Sequence, residues 1–330
     1  MLKRSILAFV FLFVLSIGLF FFLLDQQMHK AINLSQQTLI TVNAGESLSS
    51  FSKKLVNKGW ITQRFWLRSY ARLNPKKSQI KTGTYQVAAK ISLKALLNLI
   101  VSGKEHQLNL TFIEGTTFKQ WLMLLAKQKH LTHILLDQTP AQIADLLNIK
   151  QSNPEGWFFP DTYAYTVGTT DLAILKRSHK KMKIHLEQAW QKRALNLPYN
   201  EPYQALIMAS IIEKESSLHR ELPLISAVFV NRLTKNMRLQ TDPTVIYGLG
   251  ERYQGNITRR HLREKTAYNT YRINGLPPTP IAMPGLGAIE AVMQPAMSPY
   301  LYFVSMGNGA HIFSKTLAEH NKAVVKYQLN

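Results

Sequence analysis

Two acidic residues separated by one lysine, Glu213 and Glu215, stand near the end of the stretch Tyr203 to Ser217, and a carboxyl group in that setting could donate and take back a proton. The stretch has apolar residues at helical spacing behind a start at Asn200, Glu201 and Pro202, so it is expected to be a helix. Ile212, Ile211 and Met208 stand three, four and seven residues before Glu215, which puts its carboxylate on the apolar stripe. Glu213 is turned about 160° away from it. That side carries Ser210, Ala209, Leu206 and Ser217 and reads as the more polar one. Glu215 is therefore the acid expected against a core, where desolvation favours the neutral form and keeps a proton available near neutral pH. The competing structural reading is a helix end, with the carboxylate in solvent and paired to a Lys or Arg.

Other residue types suited to holding a polar ligand lie downstream. Gln240 and Thr241 precede Asp242 and Pro243, a pair that reads as N-cap and first-turn proline of a helix. Gln240 and Thr241 have no such structural role in the sequence. Ala267-Tyr268-Asn269-Thr270-Tyr271 follows, and then Gly275-Leu276-Pro277-Pro278-Thr279-Pro280, whose prolines make a stiff wall. Upstream, the segment from Glu155 to Tyr163 is dense in aromatics and framed by Glu155 and Asp161. Aromatics beside carboxyls suit sugar rings, whose C–H faces stack while their hydroxyls hydrogen-bond; a packed turn with Asp161 capping locally is the structural alternative. The 10 His are scattered, no His-Glu-x-x-His occurs, and neither a metal nor a cofactor is expected.

The elements that must position these residues read as α+β. Thr38 to Val42 is expected as a strand, with Asn43-Ala44-Gly45-Glu46-Ser47 as turn and helix cap. Leu48, Phe51 and Leu55 share one face of a helix ended by Gly59, a second helix fits Thr62 to Leu73, and Gly83 to Val87 returns as a strand. This βααβ order, opening on Val-x-x-Gly-Glu-Ser-Leu, is similar to a LysM-type glycan-binding unit, though a plain structural βααβ unit fits as well. A helix over Ser92 to Ser102 closed by Gly103, a strand over Gln107 to Ile113 and a helix over Thr117 to Lys129 follow. Later come a helix over Glu221 to Thr234, a hairpin of Leu301 to Ser305 with Ala310 to Ser314, and a last helix starting at Thr316 in a capping box with Glu319. No internal repeat or low-complexity segment appears.

Ahead of these elements, Ser5 to Leu24 contains no charged residue and follows Lys3-Arg4. Twenty helical residues span about 30 Å, the thickness of the hydrocarbon core. No small-x-small cleavage site ends the run, so an uncleaved anchor is expected, with the basic pair holding the N-terminus in the cytoplasm. The expected organisation is a cytoplasmic tail (1–4), a transmembrane helix (5–24), a tether (25–37), a LysM-like subdomain (38–104), a connecting part (105–200) and a catalytic part (201–330). With no Cys there are no disulfides and no thiolate chemistry. The formal net charge is +21. Up to Lys104 there are 15 Lys and Arg against Asp25 and Glu46, hence +13. That membrane-proximal charge suits anionic lipid and anionic wall polymer. Nucleic acid is not the expected partner, because no RNA-binding, zinc-finger or basic-zipper pattern occurs.

The motifs together resemble the YceG-like family of endolytic murein transglycosylases. Ala209 to Ser216, Val228 to Leu233, Leu239 to Thr244, Ala267 to Tyr271, Gly275 to Pro278 and Tyr300 to Val304 match it in order, and the likeness runs from about Thr38 to Lys326. Two departures are Asn236, where a Gly is usual, and Thr279, which replaces a Gly in the proline loop. Asn tolerates the positive φ such a position demands. The resemblance implies a lysozyme-like Glu helix in a mixed α/β catalytic domain, anchored in the bacterial inner membrane and facing the periplasm. It implies cleavage within nascent peptidoglycan strands between N-acetylmuramic acid and N-acetylglucosamine, leaving a 1,6-anhydro end and limiting strand length. Its catalytic glutamate falls on Glu215. Glu155, Gln240, Thr241, Asp242, Tyr268, Asn269 and Tyr271 are the candidates for holding the sugar, and peptidoglycan synthases or division proteins the candidate protein partners. A muramidase-type hydrolase, with Asp242 or Glu155 activating water, and a wall-binding scaffold are the alternatives.

Overall fold

The computed structural model describes residues 2–328; Met1 of the expected tail, Leu329 and Asn330 lie outside it. The chain divides into two compact units, Met1–Leu108 with Ala164–Gly168, and Asn109–Tyr163 with Thr169–Asn330.

The first unit opens with helix α1 (Leu2–His29), long and apolar enough over Lys3–His29 to cross a membrane. One such helix fits a single-pass anchor. Strand β1 (Thr38–Val42), helices α2 (Leu48–Asn57) and α3 (Phe65–Leu73), strand β2 (Gly83–Val87) and helix α4 (Leu93–Ser102) follow. β1 and β2 pair antiparallel from Thr38↔Val87 to Val42↔Gly83. Local chemistry sets the ends: the Ser47 hydroxyl accepts the Ser50 N–H at the start of α2, and Gly103 closes α4 with a φ of 72°. Phe51, Leu55, Leu67, Tyr85, Leu96 and Ile100 form the core over which this sheet and these helices close.

The expected tether differs. Helix α1 runs on past Leu24 to His29, and Leu24, Met28 and Ile32 are buried in the core of this unit, with exposures of 4%, 0% and 4%. The polar residues between them, Asp25, Gln26 and Gln27, made the segment read as a linker. Leu24 and Met28 stand four residues apart on one face of α1, a spacing that outweighs them, and Ile32 joins the same core just past the helix end.

The second unit contains strand β3 (Leu108–Thr111) from Asn109 on, helices α5 (Phe118–Ala126) and α6 (Pro140–Leu146), strand β4 (Thr162–Tyr165) up to Tyr163, and helix α7 (Asp171–Gln191). Helices α8 (Pro202–Glu215), α9 (Leu222–Thr234), α10 (Asp242–Leu249), α11 (Arg259–Arg263) and α12 (Leu286–Met293) continue it, and strands β5 (Tyr302–Ser305) and β6 (His311–Ser314) and helix α13 (Leu317–Gln328) end it. α8 is the central helix: every residue from Ala205 to Ile212 is buried, and α7, α9, α10 and α12 pack around it. The hairpin pairs Tyr302↔Ser314 through Ser305↔His311. Its turn is closed by the Met306 N–H to the Ala310 carbonyl at 2.8 Å.

The aromatic segment at 155–163 is a packed turn. Phe158 is fully buried and stacks on Phe118 at 5.1 Å between ring centroids, Trp157 stacks on Tyr203 at 5.6 Å, and Asp161 pairs with Lys181 on α7. The Phe158 and Phe159 rings fill core space, and Trp157 is partly buried against it. Gly156 makes the turn possible, because its φ is +80° and a Cβ there would lie 2.5 Å from Cβ and Cγ of Pro280. Gly156→Ala combines a strained backbone with an overlap against a stiff ring, and is expected to cost about 2–4 kcal/mol. The urea midpoint of unfolding is the check; a change within experimental error would contradict this packing.

Candidate active site

Helix α8 carries both acids at its last turn, and the chain leaves it at Ser216 in extended conformation. The side of α8 that had looked polar is buried: Ser210 is 0% exposed, Ala209 1% and Leu206 0%, and the Ser210 hydroxyl is absorbed by the Ile207 carbonyl and the Ile281 N–H. Desolvation therefore does not separate the two glutamates. Burial pushes Glu213 and Glu215 each up to about 7. What separates them is their surroundings. Glu213 accepts the Gly285 N–H at 2.9 Å, at the start of α12. Glu215 is half-buried and opens onto a cleft of about 660 Å³.

Glu215 faces the segment 238–242, which three groups hold in place. Arg232 on α9 is buried, and its guanidinium donates to the carbonyls of Leu239 at 2.7 Å, Arg238 at 3.2 Å and Leu301 at 2.7 Å. Thr270 accepts the Thr241 N–H through its hydroxyl at 3.0 Å and the Gln240 N–H through its carbonyl at 3.2 Å. Thr244 donates to the Thr241 carbonyl at 2.7 Å. Gln240 takes a φ of 53° under this clamp, an uncommon conformation for its residue type. Thr241 is left with its hydroxyl aimed at Glu215, to whose Oε1 it donates. Burial is the largest influence on the Glu215 carboxyl and raises it; the Thr241 hydroxyl lowers it, the Asp242 charge raises it and the Arg232 charge lowers it. The result is a carboxyl near half-protonation at neutral pH, open to the cleft and held on one oxygen.

The expected site residues fall into two groups. Gln240, Thr241, Asp242 and Tyr271 line the cleft with Glu215, and the Tyr271 hydroxyl donates to Asp242 at 2.8 Å. α10 begins at Asp242, one residue earlier than expected, with Thr241 in the N-cap position, and neither side chain caps it. Asp242 is exposed and free to serve Tyr271. Asn269 is 1% exposed; its amide donates to the carbonyls of His261, Leu262 and Glu264 and its Oδ1 accepts the Tyr271 N–H, so it shapes the loop that presents Tyr271. Tyr268 packs on Tyr247 and bonds to Thr279 at 2.8 Å, joining that loop to the proline wall. Glu155 is 3% exposed and accepts the Phe118 N–H at 2.9 Å and the Tyr247 hydroxyl at 3.1 Å. Burial raises it to about 7 as well, away from the cleft lining.

Sequence reasoning missed Arg232 and the hairpin wall. Tyr302, His311 and His320 line the side of the cleft formed by β5, β6 and α13, and His311 is tied to Glu221 at 2.8 Å. Arg232 stacks over Tyr302 at 5.0 Å. Arg232 stands in the last turn of α9, where a basic residue is ordinary, so its sequence position gave little signal. Among the described residues no cluster of His, Cys, Asp or Glu could hold a metal ion.

An α+β protein with one N-terminal apolar helix and a half-buried glutamate at the rim of a polar cleft is the class these observations define. The chain belongs to the YceG-like family, whose model matches residues 40–326. It is 31% identical to the endolytic murein transglycosylase of Bacillus subtilis, over 93% of this chain and 89% of that one. It is 27% identical to the endolytic murein transglycosylase of Streptococcus pneumoniae, over 98% of this chain but only 65% of the longer pneumococcal protein. A crystal structure of a YceG-like protein from Listeria monocytogenes superposes with a TM-score of 0.56 at 30% identity, covering 88% of this chain and 99% of that one.

Proposed function

We propose that this protein is an endolytic peptidoglycan lytic transglycosylase with Glu215 as its proton-transfer group, on a helix used as in lysozyme-like enzymes. The observation that carries the reading is the Glu215 carboxyl itself: raised to about 7, opening onto a polar cleft, and bonded by the Thr241 hydroxyl on Oε1. The protonated acid gives its proton to the bridging oxygen between N-acetylmuramic acid and N-acetylglucosamine, and the C1–O bond breaks with the electron pair leaving on that oxygen. Glu215, now a carboxylate, takes the proton of the muramic acid C6 hydroxyl as that oxygen bonds to C1. A 1,6-anhydro end forms and the acid is regenerated, without water. Gln240, Asp242 and Tyr271 are the cleft groups offered to the sugar. Tyr268, Asn269 and Glu155 support the walls from behind.

In the same reading α1 anchors the protein in the bacterial inner membrane with its N-terminus in the cytoplasm and the remainder in the periplasm, following the Lys3-Arg4 pair. The βααβ unit serves as a LysM-like module near the membrane, cleavage limits the length of nascent strands, and peptidoglycan synthases or division proteins are the expected partners.

Mass spectrometry of fragments released from purified peptidoglycan by the full chain in detergent is the test. Muropeptides with 1,6-anhydro ends are the expected product. Reducing ends would instead mean a hydrolase, and glycan binding without fragments a scaffold.

The pH profile gives a second check. As the acid must be protonated, turnover is expected to fall about tenfold per unit above pH 7. Thr241→Val removes a bond that favours the carboxylate, so the alkaline limb is expected to move to higher pH, while Thr241→Ser leaves it in place. Profiles that coincide for Val and Ser would show that the hydroxyl does not tune the acid.

A further inference from the structure

α1 and α3 meet at an aromatic corner that has no role in the cleft. Phe20 on α1 stands 6.4 Å from Phe65 and 6.2 Å from Trp66 between ring centroids, and Phe65 and Trp66 are themselves 5.0 Å apart. Phe65 is 52% exposed although it is a large apolar side chain. The charge-free run of α1 ends at Leu24, so Phe20 lies four residues, or about 6 Å, inside the end of the hydrophobic span. The interfacial layer on each side of the hydrocarbon core is only about 5–7 Å thick. A ring in contact with Phe20 is therefore at membrane depth.

Charge supports the same placement. Arg64 and Arg68, flanking Phe65 and both exposed, have no ion pair among the described residues. From Ser47 to Lys104 the sequence has 12 Lys and Arg and no Asp or Glu. Aromatic rings beside arginines fit the boundary between acyl chains and anionic phosphates. Because Leu24 and Met28 are core residues of the same unit, this corner is fixed relative to α1 and cannot swing away from the bilayer.

We infer that the start of α3 is a membrane-seating surface, with Phe65 immersed at the acyl boundary and Arg64 and Arg68 on the phosphates of anionic lipids. This seating presupposes α1 as the anchor, and the test separates the two. The chain has no Cys, so single cysteines at Phe21, Asn43 and Phe65 of the full chain can each carry a nitroxide in nanodiscs of phosphatidylcholine with or without phosphatidylglycerol. Collision rates with oxygen and with a water-soluble nickel chelate then report depth. The label at 65 is expected to be oxygen-accessible and shielded from nickel several-fold relative to exposed Asn43, close to the label at 21. Gln63→Cys, exposed on the same corner, repeats the measurement should Phe65→Cys disturb the fold. A lipid-exposed 21 with a water-exposed 65 and 63 would overturn the seating, and a water-exposed 21 would overturn the anchor. Arg64→Gln with Arg68→Gln is expected to lower the preference for spin-labelled phosphatidylglycerol several-fold; an unchanged preference would overturn the headgroup contact.

Discussion

Glu215→Gln is expected to lower the release of 1,6-anhydro fragments by roughly 10²–10⁴-fold, the range that a positioned general acid contributes. The amide keeps the size of the carboxyl and can still accept from the Thr241 hydroxyl, but it has no proton to give. Stability should move the other way. Because the folded-state pKa of Glu215 is raised to about 7 from an ordinary value of 4.5, the folded chain holds this proton more tightly than the unfolded chain. The associated stability is complete below about pH 4.5 and is lost as pH rises through about 7. At pH 8 the wild-type protein therefore bears a desolvated charge that the amide removes, so Glu215→Gln should unfold at the same or a higher temperature there. An inactive variant that is not destabilised at pH 8 fits a general acid; retained activity would refute the assignment.

Arg232→Met is expected to destabilise the protein by about 3 kcal/mol or more. The methionine fills much of the apolar volume but supplies no donor. Three carbonyls, those of Leu239, which is buried, and of Arg238 and Leu301, which are partly so, then lose the bonds that Arg232 makes; an unpaired buried acceptor costs about 1–3 kcal/mol and the partly buried ones add less. Arg232→Lys should recover only part of this, since an ammonium on a flexible stem does not reproduce the planar fork. Chemical denaturation measures the loss. A fall of cleavage below the unfolding transition should accompany it, because the clamp that gives Gln240 its φ of 53° also aims the Thr241 hydroxyl. Equal stability of Met, Lys and wild-type proteins would mean that the three carbonyls find other donors.

What the sequence disclosed was chiefly local. Ser47 and Gly103 bracket their helices as expected, Asn236 takes a φ of 54° at the position where a glycine is usual, and Thr316 and Glu319 exchange the two bonds of a capping box. Each depends on contacts a few residues apart. The misreadings depend on distant ones. Glu213 appeared to lie on a polar face because Ser210 is polar, yet Ser210 spends its hydroxyl on Ile281, 71 residues away. The rings of 157–159 suited a sugar by type, but Phe118 and Trp121 pack on Phe158, Tyr203 stacks on Trp157 and His185 lies against Phe159. In the 21-residue α7, Ile174, Leu175, Ser178, Met182 and Leu186 hold helical spacing behind the Thr170 cap, a pattern diluted by its many lysines. In the site, the side of Glu215 on the helix was readable, whereas the Arg232 clamp closes over 69 residues to Leu301 and left no periodic trace.

The burial of Leu24 and Met28 also bears on what proteolysis behind the apolar run would release. A protease that cut just after the apolar run would take Leu24 from the core of the first unit and leave Met28 on a frayed end. Losing a buried leucine or methionine costs about 2–5 kcal/mol, a large part of what a small unit has. Such a cut would thus yield a partly melted fragment, which ties integrity of the first unit to the continuity of α1.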